Sequence, residues 1–234
     1  FLDMCKEPDV CCELALQPIN AFKLDAAILF SDILTIPDSF GLGVEFVEKE
    51  GPVFNNPINS STDISNLDHF DPESLDYVYK AVKNIKNSLS EEIPLIGFCG
   101  SPWTLAAYSI EGRSSKDFEK TLNFLVSNQK DVHNLLTKYT DACFLYLRRQ
   151  VQSGADVIQI FDSWANLLTK EGLIEYSFNY INALISALKL DPVTKNIPVI
   201  VFARNPKCNI EELINTSADC ISPVSYTHLR AHET

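Results

Sequence analysis

The chain has 234 residues, 46% of them hydrophobic, and a formal net charge of −12. This length and composition support a sizeable buried core and exclude a disordered or low-complexity protein. The acidic balance argues against general nucleic-acid binding, which needs basic surface to replace counterions along the phosphate backbone. The longest apolar runs are short and strand-like, far below a transmembrane span, so a soluble protein with one main domain and no membrane partner is expected.

The seven cysteines (Cys5, Cys11, Cys12, Cys99, Cys143, Cys208 and Cys220) contain no C-x-x-C. Neither a disulfide framework nor a zinc site is signalled, and a reducing, cytoplasmic location is expected. Phe1 is not a start methionine and no charged-then-apolar signal region follows it. The amino terminus is therefore expected upstream, and a targeting peptide there stays open.

Along the chain, a helix is expected over 9–22, after Pro8 and with Val10, Leu14 and Ile19 on one stripe. Ala26 to Phe30 are all apolar, as in a strand buried on both faces of a parallel sheet, and the run ends in Ser31-Asp32 with Pro37 soon after. Residues 42–54 carry Gly43, Gly51 and Pro52 and suit a short hairpin or ordered loop, and 55–71 is polar and turn-rich. Helical spacing returns over 72–89, a core strand over 93–99 ends at Gly100 and Pro102, and helices follow over 115–127 and 131–152. Strands over 155–161 and 197–203 flank a helix over 170–188; a short helix over 210–216 and a strand from 218 complete the pattern. Repeated β-then-α with such apolar strands indicates a parallel α/β barrel or doubly wound sheet. No G-x-G-x-x-G opens a helix, which lowers a dinucleotide-binding reading.

Three strand ends carry polar groups: Ser31-Asp32, Gly100-Ser101-Pro102-Trp103-Thr104 and Asp162-Ser163-Trp164. A barrel gathers such groups at its working, carboxyl-terminal end. Asp32 is the first catalytic candidate; its competing reading is a cap on the next helical turn.

The motifs Glu13-x-x-x-Gln17-Pro18, Leu24-Asp25-Ala26-Ala27, Phe30-Ser31-Asp32-Ile33-Leu34, Gly51-Pro52, Gly97-Phe98-x-Gly100-Ser101-Pro102-Trp103-Thr104-Leu105 and Tyr108-x-x-Glu111-Gly112 occur in this order. Together they closely resemble the uroporphyrinogen decarboxylase family over essentially Phe1 to Ser222. The resemblance implies a (β/α)8 barrel, incomplete in this chain and homodimeric when complete. It implies a cofactor-independent, metal-free enzyme that decarboxylates the four acetates of uroporphyrinogen III to give coproporphyrinogen III, in haem or chlorophyll synthesis. The expected location stays cytoplasmic, with a plastid as the alternative.

The resemblance further implies that Asp32 binds the inner pyrrole N–H groups and that Tyr108, close to it, contacts a substrate carboxylate. Ser163 then hydrogen-bonds a substrate side chain. Phe30 and Phe161 are expected to wall the pocket against the flat macrocycle. A helix cap for Ser163 and plain core packing for Tyr108, Phe30 and Phe161 are the competing readings.

The family's R-Q-A-G-R-Y motif, whose arginines bind substrate carboxylates, and its late N-L-G-H-G histidine have no counterpart between Phe1 and Thr234. The family's glycine-rich loop after Phe202-Ala203 is replaced by Arg204-Asn205-Pro206-Lys207, with Arg204 where lysine is usual. This weakens the expectation of an anion pocket there.

Residues 224–234 back-translate into a sequence resembling a transposon-end sequencing adapter. We therefore expect a partial barrel over 1–222 and a non-native tail over 223–234, and a chain inactive as it stands. Two alternatives are a corrinoid-dependent methyltransferase of the same superfamily, which needs a late His/Cys zinc site and a methyl carrier, and a non-catalytic tetrapyrrole-binding paralogue.

Overall fold

A computed structural model describes residues 2–208, 212–213 and 215–224. Five strands form a parallel sheet in the order β1 (Ala27–Ile28), β4 (Leu95–Gly100), β5 (Val157–Asp162), β6 (Val199–Arg204), β7 (Cys220–Val224), while β2 (Val44–Val47) and β3 (Gly51–Phe54) form a separate antiparallel hairpin. Each strand of the parallel sheet lies beside its predecessor, and helices cross over from β1 to β4, from β4 to β5 and from β5 to β6, as in consecutive units of a (β/α)8 barrel. No helix among the described residues is long and apolar enough to cross a membrane.

The expected helix over 9–22 is Pro8–Ala21, that over 131–152 is Gln129–Gln152, and the 72–89 segment is a 3-10 turn, Pro72–Leu75, running into the helix Asp76–Ser88. The 115–127 segment turns helical only at Glu119, because Phe118 adopts a left-handed φ of 49°. A helix Pro102–Glu111 occupies what reads in sequence as a tight turn: Ser101 accepts the Thr104 N–H (3.0 Å) and Pro102 fills the first turn, both helix-start signals. The 170–188 segment contains a π-helical stretch, Leu173–Phe178, before Asn179–Leu190. Of the expected 210–216 helix, Glu212 and Leu213 are helical and Asn215 and Thr216 form a turn, while 210, 211 and 214 lie outside the described residues. Strand β7 runs through Pro223 and Val224, which pair with Ala203 and Arg204; residues 225–234 of the adapter-like run lie outside the described residues.

Alternation along the strands sorts their side chains. Ala27, Leu29, Leu95, Cys99, Ile158, Ile160, Val199, Val201 and Ala203 point outward and are buried beneath helical residues such as Val82, Ile85, Tyr139, Leu147 and Leu184. The inner face is more open. β1 pairs only with β4, and Ile28 is 45% exposed, so this strand is not buried on both faces as its run of apolar residues predicts. An edge strand has one covered face here, and apolar composition alone does not reveal that.

β1 also leaves the ladder early. Leu29 N–H reaches Ile96 C=O (2.9 Å), but two residues on, the Phe98 N–H and C=O are taken instead by the Gln150 side chain, at 2.9 Å each. The fully buried amide stands in for a neighbouring strand, and it requires Gly97, where a Cβ would meet Gln150 Oε1 at 2.4 Å. Gln150→Leu is expected to cost about 2–4 kcal/mol, since it strands two buried backbone groups; denaturant unfolding measures it.

At the opposite end of the sheet the same clamp occurs twice. Asp156 accepts Leu95 N–H (2.8 Å) and Lys86 Nζ (2.6 Å), while Asp219 accepts Val199 N–H (2.8 Å) and Lys189 Nζ (2.6 Å). Each ties a crossover helix to two strand starts, at the barrel end that serves stability.

Candidate functional site

The carboxyl-terminal ends of the strands bring the polar positions together. After β1 the chain turns at Asp32, whose Oδ1 accepts the Leu34 N–H (2.7 Å) and whose carbonyl accepts Thr35 Oγ1–H (3.1 Å). This is an Asx turn ahead of the Thr35–Pro37 turn and not a helix cap, since the N-cap position there is Leu34, with no side-chain cap hydrogen bond. The turn uses one carboxylate oxygen: Asp32 is half-buried, has no salt-bridge partner among the described residues, and burial raises its pKa, with the Leu34 N–H opposing. A desolvated carboxylate held in place by its own turn is an acceptor whose charge is incompletely compensated.

The inner face beneath it is aromatic. Register places Gly100, Phe161, Phe202 and Ser222 side by side, with Phe98 one step below Gly100. The Phe98 and Phe161 rings meet edge to face at 5.4 Å, and Phe161 meets Phe202 at 5.3 Å. Phe30 shares the face of Ile28 and also lines a cleft of about 180 Å³ along the free edge of β1, with Leu14, Pro18 and Ile19. Gly100 keeps this floor low: a Cβ there would lie 2.6 Å from Leu105 Cδ2.

Tyr108 comes from the Pro102–Glu111 helix and packs edge to face on Trp164 (5.6 Å) and Phe118 (5.9 Å). Burial raises its hydroxyl pKa. The nearby Trp164 indole N–H opposes this, the charge of Asp32 adds to it, and that of Arg204 opposes it. Asp32, Tyr108 and Arg204 therefore lie within electrostatic reach of one another. Ser163, half-buried, begins the turn after β5; it is Thr169, not Ser163, that caps the following helix. All five residues expected in the site from sequence (Asp32, Tyr108, Ser163, Phe30 and Phe161) thus lie at one end of the sheet.

Asp162 behaves differently. It is wholly buried on the outer face, where Ser101 Oγ (2.9 Å) and Thr104 Oγ1 (3.0 Å) donate to Oδ1 and Ser177 Oγ (2.5 Å) donates to Oδ2. Burial raises its pKa and the three hydroxyls counter that. It pins β5 to the start of the Pro102–Glu111 helix and to the π-helical turn, and so fixes Trp164, whose N–H reaches Thr104 Oγ1 (3.3 Å) and whose carbonyl accepts the Trp103 indole N–H (3.0 Å). Sequence reading missed Phe98 and Phe202 as site neighbours, while Trp164 stood out at its strand end and Arg204 in the segment after Ala203. The signal was present as period-two alternation from Phe161 and Phe202.

Comparison with known proteins gives a consistent picture. The family described as "Uroporphyrinogen decarboxylase (URO-D)" matches residues 1–232. The chain is 44% identical to the uroporphyrinogen decarboxylase of Acinetobacter baumannii (strain SDF) over 222 residues, 94% of this chain and 62% of that protein. It is 44% identical to that of Ruthia magnifica over 95% of this chain and 64% of that protein, and 45% identical to that of Acinetobacter baylyi over 94% and 62%. The chain thus spans less than two thirds of these relatives' length. A methyltransferase from Methanosarcina mazei superposes with a TM-score of 0.73 at 16% identity, covering 95% of this chain and 71% of that one, a likeness of fold.

Proposed function

Since the chain belongs to the uroporphyrinogen decarboxylase family, we propose that, at the full length of its relatives, it decarboxylates the four acetates of uroporphyrinogen III to give coproporphyrinogen III. The observation that carries this reading is Asp32, a half-buried carboxylate without a cation partner among the described residues, set over an aromatic floor. Four converging pyrrole N–H donors suit an acceptor-only carboxylate and offset its desolvation.

The chemistry needs no separate electron sink. Protonating a pyrrole carbon makes a cation conjugated with the acetate-bearing carbon; the carboxylate's bonding electrons flow into it as carbon dioxide leaves, a second proton turns the resulting exocyclic methylene into a methyl group, and loss of the first proton from the ring carbon restores the pyrrole, one proton being consumed per acetate. Asp32 stabilises the cation as it forms. Tyr108 donates to a substrate carboxylate, Ser163 to a side chain, and Phe30 and Phe161 wall the macrocycle. We further propose a cofactor-independent homodimer at family length, residues 1–222 as the barrel portion and 223–234 as a non-native tail. A cytoplasmic location fits the seven free thiols.

The test uses a protein extended to family length. Anaerobic incubation with uroporphyrinogen III is expected to release carbon dioxide and yield coproporphyrinogen, resolved by chromatography after oxidation. Tight porphyrin binding with no carbon dioxide release would replace this reading with a binding-only one.

A further inference from the structure

Arg204 is the one basic residue carried by the described strands. It closes β6 on the same face as Phe202, and since Ala203 pairs with Asp162, the next rung sets it beside Ser163. Its guanidinium carbon stands 5.7 Å from the centre of the Trp164 ring, and Trp164 in turn packs on Tyr108. The chain turns away directly afterwards at Asn205, whose left-handed φ of 44° is tolerated by asparagine and explains how this loop dispenses with glycine.

From this placement we infer that Arg204 is a substrate-binding residue that takes a side-chain carboxylate of the macrocycle held by Asp32, next to the Ser163 hydroxyl. The inference rests on the tetrapyrrole reading above. At 5.7 Å the guanidinium lies within cation–π reach of the indole, and its planar fork of N–H donors matches the two oxygens of a carboxylate in a way that a lysine point charge does not. In a chain of net charge −12, a cation at this mouth also offsets repulsion of a polyanionic ligand.

The experiment uses the family-length protein with Arg204→Ala and Arg204→Lys, titrated with uroporphyrin (eight carboxylates) and coproporphyrin (four). Quenching of Trp emission reports binding, since Trp103 and Trp164 are the only tryptophans. Arg204→Ala is expected to weaken uroporphyrin binding and raise KM by about ten- to a hundredfold with kcat changed less than about threefold, and Arg204→Lys to recover part of the loss. Loss confined to uroporphyrin assigns the contact to an acetate; equal loss for both ligands assigns it to a propionate. Folding is checked by circular dichroism, and if the alanine variant does not fold, the lysine variant and Arg204→Gln carry the test. Unchanged affinity and KM in a folded variant of an active protein overturn the inference. An inactive parent that still binds uroporphyrin overturns the decarboxylase reading and leaves the Arg204 contact to be judged on affinity alone.

Discussion

Asp32→Asn, made in the family-length protein, lowers kcat for uroporphyrinogen by about two to three orders of magnitude, the scale seen when one preorganised electrostatic partner of a developing charge is lost. Asparagine is nearly isosteric and its Oδ1 keeps the Leu34 N–H at the turn, so the site's shape survives. What disappears is the negative charge opposite the pyrrole cation, and an amide N–H is now presented to pyrrole N–H donors. Turnover within about threefold of the parent would refute the role given to this carboxylate.

The same variant is expected to gain about 1 kcal/mol of stability without ligand, because the charge at Asp32 is held against desolvation. The pH dependence follows from the sign of the shift. An acid whose folded pKa is raised binds more protons folded than unfolded, so its ionisation removes stability as pH rises from the ordinary carboxylate value of 3.8 through the raised one. The advantage of Asp32→Asn should be absent below that window and complete above it, which paired thermal melts across pH would show.

Much of this site is readable in the sequence. Asp32 stands out because an apolar strand runs into an acid, and the long motifs around Gly97 to Glu111 give it context. The strand that ends at Asp162 is legible as well, and its period-two alternation separates Asp162 from Ser163. Alternation places Phe161 inward and so sends Asp162 outward, into a hydroxyl cluster, while Arg204 follows Phe202 inward. Other features depend on distant partners that no local pattern encodes. Gln150 binds the backbone of Phe98, 52 residues before it in the chain, in place of a strand neighbour, because β1 bends off after Ile28. The helix Pro102–Glu111 was legible in Ser101-Pro102, yet Gly100 and Pro102 together read as a turn.

Asp162 should prove the most sensitive structural residue near the site, and the direction of its hydrogen bonds says how. Ser101 Oγ accepts the Thr104 N–H and Thr104 Oγ1 accepts the Trp164 N–H, and since an ionised carboxylate only accepts, both hydroxyls donate their own protons to Asp162 Oδ1. Oδ1 is obliged to be an acceptor, whereas Ser177, on Oδ2, is free to reverse. Asp162→Ala leaves three hydroxyls in a wholly buried space without their acceptor and is expected to destabilise the fold by about 3–5 kcal/mol. Asp162→Asn keeps an acceptor for Ser101 and Thr104 and offers an N–H to a reversed Ser177, so its penalty should stay near 1 kcal/mol. Denaturant unfolding separates the two, and Trp emission supplies the local readout, since the network fixes Trp164 through its N–H and its carbonyl. Equal destabilisation by both substitutions would mean that the negative charge, rather than the acceptor geometry, holds the turn in place.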